Sequence, residues 1–200
     1  MNRHRYFIFH KPINMVSQFI STHNVRLLGS IEFDFPEGTH AIGRLDQHSE
    51  GLLLLTTNKK ITKLLFQGPI PHCRKYLVQV KNKISPETIV KLAGGIAISA
   101  PNGGQYITSP CQVEQVEKPV TIQELENPLH ENVISSWLEI TLTEGKFHQV
   151  RKMVAAVNHR CLRLIRTSIE DIQLGAMQPG SVIEVDETYF FDKLKLTNAG

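Results

Sequence analysis

The sequence predicts an α+β fold of mostly antiparallel strands, and three observations predict it. Alternating apolar segments, the mark of half-buried strands, recur along the 200 residues. Helical spacing falls between them at irregular intervals, unlike the regular strand–helix alternation of a doubly wound sheet. Short turn signals join neighbouring strands, as in hairpins. Apolar residues make up 41% and charged residues 20%, a globular composition that needs no disulfide or metal staple at this length.

The elements follow in order. Residues 5–10 alternate and end at Lys11-Pro12, which reads as a strand. Residues 17–38 are polar and mixed, with a turn at 35–38. Residues 40–46 read as a strand, then a turn, then a buried apolar strand at 52–56. Asn58 is a helix cap, with Ile61, Leu64 and Leu65 on one face of a helix running to Phe66. Tyr76, Val78 and Val80 alternate on a strand. Ser85-Pro86-Glu87 starts a helix that Gly94-Gly95 closes. Residues 96–99 and 107–116 are strands around an Asn102-Gly103-Gly104 turn. Residues 117–135 form an exposed, acidic insertion. Residues 137–142 alternate strongly. Val150, Met153, Val154 and Val157 mark a helix that Asn158 stops, and residues 160–167 and 181–185 are again strands.

Composition also excludes. The three cysteines, Cys73, Cys111 and Cys161, are odd in number and scattered, so neither a disulfide framework nor a structural zinc site is expected. The longest apolar run, Leu52 to Leu55, falls far short of the roughly 20 residues of a membrane helix. A cytoplasmic protein without membrane association is the expectation. There is no glycine-rich phosphate loop, no HExxH, no GxSxG and no dinucleotide fingerprint, so no metal or cofactor is expected. Net charge is only +3, but it is unevenly spread. Residues 58–91 carry eight Lys/Arg against one acid, and residues 144–166 carry six against Glu144 alone. An anionic polymer would meet these two basic segments.

Three segments can carry chemistry. In Gly43-Arg44-Leu45-Asp46-Gln47-His48, a strand at 40–46 would put Arg44 and Asp46 on one face, since side chains alternate. Asp46 is then a carboxylate at the rim of a core, either a nucleophile or base, or half of a structural ion pair. Lys146, His148 and Arg151 surround a strand-to-helix junction suited to phosphate recognition; alternatively they form an ordinary basic helix face. Tyr76, between Arg74-Lys75 and an apolar run, either stacks on a nucleobase or packs in the core.

Taken together, GRLDQHSEGLLLLTTN, CRKYLVQV and EGKFHQVRKM resemble, in order, the GRLDxx(S/T)xGLLLLT, (K/R)xYxV and EGxxHQVR(K/R)M blocks of the RsuA-type RNA pseudouridine synthases. Phe9-His10-Lys11-Pro12 with Val16-Ser17-Gln18-Phe19, and Ser136-Trp137-Leu138 with residues 162–166, look most like the RluE branch, which modifies one uridine of large-subunit (23S) rRNA. The chain departs from the commoner KPxG form in having Asn14 where that form has glycine.

The resemblance implies a pseudouridine synthase fold, with a central mixed, mainly antiparallel sheet, flanking helices and a catalytic cleft. It implies isomerisation of a flipped-out uridine without cofactor. Asp46 matches the catalytic aspartate, which either attacks the anomeric carbon or removes a ribose proton. Tyr76 matches the tyrosine that stacks on the uracil, and Arg151 the basic residue that pairs with the aspartate. Arg44, His48, His148, Lys11 and Lys146 are further substrate-binding candidates. The catalytic region is expected to begin near Tyr6 without a separate N-terminal RNA-binding module, with a possible subdomain boundary near Gly38 (residues 1–38, then 39–200). A monomer acting on ribosomal RNA with no obligatory protein partner is the expectation. The rivals are a non-catalytic rRNA-binding or assembly factor on the same scaffold, and a retaining glycosidase. The second would need a paired carboxyl about 5 Å from the first.

Overall fold

The structure is a computed structural model that describes residues 4–68, 71–101, 103–125, 130 and 132–196. In chain order the elements are β1 Tyr6–Lys11, β2 His40–Ile42, β3 Glu50–Thr56, α1 Ile61–Gln67, β4 Arg74–Lys81, α2 Pro86–Ala93, β5 Ala97–Ser99, β6 Gln105–Ile107, β7 Gln112–Val116, β8 Ser135–Leu142, α3 Gln149–Ala156, β9 Cys161–Ile169, β10 Ile172–Gln173, β11 Val182–Val185 and α4 Glu187–Lys193. Contacts divide the chain into two compact units, one of residues 1–72 and 165–200, the other of residues 73–164. No helix among the described residues is long and apolar enough to cross a membrane.

The first unit is built on β3. Every residue of this strand is buried, as its unbroken apolar run requires. β1 lies antiparallel along it, from Tyr6 opposite Thr56 to Lys11 opposite Gly51. β11 pairs with the other edge of β1, and β2 with the far end of β3. The pairing of β3 with β9 at Glu50–Gly51 and Ile165–Arg166 is parallel, which makes the sheet mixed. One apolar cluster joins Phe7, Phe9, Met15, Leu28, Leu45, Leu53 and Leu55. Helix α4, which the sequence reading did not contain, is capped by Asp186, whose carboxylate accepts from the Tyr189 amide. Its Glu187 accepts from the Tyr6 hydroxyl at 2.5 Å.

The second unit is built on β8. Its alternation is clean, with Leu138, Ile140 and Leu142 buried and Trp137, Glu139 and Thr141 partly exposed. β4 and β7 flank it, both antiparallel, and β5 and β6 form a separate hairpin. Helices α2 and α3 pack their apolar faces into a cluster with Val78, Val80, Leu138 and Ile140. Ser85 caps α2 as expected, its hydroxyl accepting from the Thr88 amide.

Three expectations are corrected. The strand at 40–46 ends at Ile42. Gly43 turns into the left-handed region (φ +71°), and a Cβ there would lie 2.7 Å from the Phe66 ring. Arg44 and Asp46 therefore lie on a loop, and strand alternation does not place them on one face. The strand at 107–116 is broken between β6 and β7, because this backbone bonds elsewhere: the Thr108 amide donates to Ile96 O and the Cys111 amide to Ala93 O. Asn58 is a turn residue, not the cap of α1, which starts at Ile61. Its Oδ1 accepts from the Lys60 amide and its Nδ2 donates to the Tyr6 hydroxyl. Of the expected 102–104 turn, Asn102 lies outside the described residues, as do residues 126–129 and 131 of the acidic insertion.

Candidate active site

In the first unit, the segment after Gly43 is held by its backbone. Leu45 is 6% exposed and plugs the phenylalanine-rich cluster. Its amide donates to Ser17 Oγ (3.0 Å) and its carbonyl accepts from the same hydroxyl (2.9 Å). A hydroxyl offers one donor and two acceptor sites, so one buried side chain satisfies both backbone groups. The Ser49 amide then donates to Asp46 O, closing a turn over residues 46–49. His48 Nδ1 lies 3.1 Å from Asn14 Oδ1. Asp46 is thus fixed on both flanks, and its side chain is half-buried. Arg44 and His48 are exposed on the same segment.

Lys11 is a correction. It is 0% exposed, with Nζ donating to Pro12 O (2.9 Å) and Met15 O (2.6 Å), so it cannot meet an RNA backbone from this position. Burial pushes its pKa down to about 7; the nearby carboxylates of Glu50 and Asp46 oppose that fall, while Arg166 and Arg26 add to it. Its hydrogen bonds close the 11–15 loop, which presents Asn14 at φ +61°. Asparagine tolerates this left-handed region better than most residues, which explains how it stands where KPxG has glycine.

In the second unit, Tyr76 lies on β4 opposite Ile140. It is half-buried and packs on the edge of the cluster that includes Val78 and Val80. Its basic neighbours are engaged within the unit. Lys75 Nζ donates to Glu139 (2.9 Å), which raises the lysine's pKa. Arg74 is buried, its guanidinium so close to Gly145 that a Cβ there would lie 2.9 Å from Nη1.

The 144–152 segment is held through side chains. Glu144 accepts from the Ser109 amide (3.0 Å), from Gln149 Nε2 (2.7 Å) and from the Tyr106 hydroxyl. Gln149 Oε1 in turn accepts from the Lys146 amide (2.9 Å). Burial pushes the Glu144 carboxyl up, but these hydrogen bonds outweigh it, and its pKa falls below the ordinary value. His148 precedes α3 in the left-handed region (φ 55°). Arg151 is half-buried on the first turn of α3. Its guanidinium opposes, without reversing, the upward push of burial on the Cys161 thiol. Lys146 is exposed, with Nζ 4.3 Å from the Tyr106 ring centroid.

The structure therefore gathers Asp46, Arg44 and His48 on one braced loop of the first unit. It gathers Lys146, His148 and Arg151 at one helix start of the second, with Tyr76 on a strand of that unit. Sequence reasoning missed Ser17, Glu144 and Gln149. Only the last pair left a signal, a Glu and a Gln five residues apart at a strand-to-helix junction.

Comparison with known proteins decides what these segments belong to. Residues 5–156 match the sequence model of the family described as RNA pseudouridylate synthase. The chain belongs to that family. A ribosomal large subunit pseudouridine synthase E of Xanthomonas axonopodis pv. citri is 34% identical over 172 residues, which cover 86% of this chain and 89% of the relative. The protein of the same name from Vibrio parahaemolyticus is 33% identical, over 92% of this chain and 75% of that one. Among solved structures, a pseudouridylate synthase superposes with a TM-score of 0.75 at 23% identity, covering 97% of this chain and 75% of the other. The fold is thus the pseudouridine synthase fold, as the three sequence blocks imply.

Proposed function

We propose that this protein isomerises one uridine of large-subunit ribosomal RNA to pseudouridine, with Asp46 as the catalytic residue. The observation that carries the reading is the bracing of Asp46: core-anchored Leu45 on one side and a closed turn on the other, around a half-buried carboxylate. A catalytic group must hold its geometry without help from substrate, and backbone clamps of this kind provide that. The large-subunit target rests on the names of relatives 33–35% identical to this chain.

The chemistry is redox-neutral. The bond from N1 of the uracil to the anomeric carbon breaks, a bond from C5 to that carbon forms, and the proton on C5 is exchanged for one on N1. No electrons leave the substrate, so the reaction itself calls for no oxidant or reductant. Asp46 serves either as nucleophile at the anomeric carbon or as base at the ribose. The uridine must leave its stack to react. Tyr76 supplies the surface on which the freed uracil stacks, and Arg151 a cation for the RNA substrate. Arg44 and His48 on one unit, and Lys146 and His148 on the other, contact the RNA backbone.

The test is conversion of unmodified 23S rRNA by purified protein, with pseudouridine mapped along the product. One new pseudouridine, in large-subunit and not small-subunit RNA, is expected. RNA binding without any conversion would favour the non-catalytic factor instead.

A further inference from the structure

The 144–152 segment contains an aromatic ring that the proposed chemistry does not use. Phe147 is 61% exposed. Single apolar side chains on a surface are ordinary, but the surroundings of this one are not. Its ring is stacked on the His148 imidazole, with centroids 3.9 Å apart and planes 18° from parallel. The imidazole is held there by the left-handed backbone of His148, which non-glycine residues adopt rarely and which is found preferentially at functional sites. The Lys152 ammonium lies 5.2 Å from the Phe147 centroid and is itself fixed by donating to Ser99 O (2.7 Å). On the adjoining residue, Lys146 lies over the Tyr106 ring. Phe147 in this segment and Tyr106 on β6 thus each have an ammonium over the ring, and the more exposed ring, Phe147, already forms the first step of a stack.

We propose that Phe147 is a stacking residue for an unpaired nucleobase of the RNA substrate, a base other than the uridine being isomerised. This rests on the reading of the protein as an RNA-modifying enzyme. Bases offer a π-face whatever their identity, and aromatic side chains set among cations are how proteins hold unpaired nucleotides. The cations disfavour an apolar protein or lipid partner, which would have to desolvate them. A base stacked on Phe147 continues the Phe147–His148 pile while its phosphates meet the neighbouring lysines. Phe147 is thereby a specificity-determining residue: it rewards RNA that presents an unpaired base to this segment.

The experiment compares wild type, Phe147→Ala, Phe147→Leu, Phe147→Trp and Lys146→Ala on 23S rRNA transcript. It measures kcat and KM for pseudouridine formation and, separately, Kd across a salt series. Loss of one stacked base should raise Kd and KM of Phe147→Ala roughly 5- to 150-fold, falling on KM more than on kcat. Phe147→Trp should bind like wild type, and Phe147→Leu like Phe147→Ala. Stacking releases no counterions, so the dependence of log Kd on log salt should keep its slope in Phe147→Ala but flatten by about one in Lys146→Ala. A Kd for Phe147→Ala within twofold of wild type, or Phe147→Leu binding as well as Phe147→Trp, overturns the proposal. Absence of pseudouridine formation by wild type overturns the proposed function, and the binding series then decides this inference alone.

Discussion

The Asp46 loop and the 144–152 segment solve the same problem, a fixed irregular backbone, by opposite electrostatic means. Beneath the first lies Lys11, a cation that is fully buried and pays for it, with its pKa driven down to about 7. Beneath the second lies Glu144, an anion so well supplied with donors that its pKa falls below the usual carboxylate value despite burial. The first loop is fastened by neutral backbone clips from Ser17 and by a core leucine; the second by one charged acceptor gathering three donor side chains and an amide. The lesson is that the two loops rest on separate groups, one on neutral clips above a buried lysine and one on a charged acceptor, so the two can be loosened independently.

The largest expected effect follows from cutting the neutral clip. Ser17→Ala leaves the buried amide and carbonyl of Leu45 without this partner, which should lower stability by about 1–3 kcal/mol. Because Ser17 acts through the loop, kcat should fall more than RNA affinity. Equal losses in kcat and affinity would break the comparison, since they would mean the clip merely supports the unit as a whole.

Next comes Glu144→Gln, which keeps the shape and removes the charge. Charge-assisted hydrogen bonds are stronger than neutral ones, and partial exposure screens the difference to roughly 1 kcal/mol. The pH dependence is more telling. A carboxyl whose folded pKa is depressed contributes stability above its unfolded value, near 4.5, and loses it as pH falls through the folded one. Wild type should therefore lose stability faster than Glu144→Gln as pH drops below about 4.5, in denaturant melts at stepped pH. Parallel curves would contradict the account of Glu144.

The smallest effect belongs to Lys11→Met. Replacing a buried charge by an apolar side chain of similar length is often close to neutral, so stability near pH 7 should change by no more than about 1 kcal/mol. The sign with pH is the same as for Glu144, since both folded pKa values are depressed, but the window lies higher. Between about 7 and the ordinary lysine value the unfolded chain holds the proton that the folded chain has shed, so this lysine's contribution to stability rises with pH. From pH 7 to pH 9, wild type should gain on Lys11→Met; a constant difference would show that Lys11 is charged throughout.

Much of this was legible in the sequence, for a definable reason. Leu138, Ile140 and Leu142 alternate with less buried neighbours, and Ser85-Pro86 marks the start of a helix; both are local rules, and both hold. The three family blocks located the residues of both loops. What was not legible depends on contacts distant in sequence. Nothing local says that Ser17 reaches Leu45, 28 residues on. Arg44 to Asp46 continues the pattern of a strand, and only the left-handed turn at Gly43, against the ring of Phe66, ends it. Lys11 reads as a surface cation by type, yet the loop carbonyls of Pro12 and Met15 draw its ammonium inward. Helix α4 was missed because its capping Asp186 precedes a short segment in which Phe190 alone is buried, too little for a periodicity to show.

The central claim is that a single braced carboxylate performs the isomerisation, and Asp46→Asn tests it most directly. Asparagine is nearly isosteric and the backbone clamps on Leu45 and Ser49 do not involve the side chain, so thermal stability should stay within about 1 kcal/mol of wild type. Pseudouridine formation on unmodified 23S rRNA, measured at saturating protein over long incubation, should be abolished while RNA binding persists. Conversion by the folded Asp46→Asn variant at a tenth of the wild-type rate or more would contradict the account.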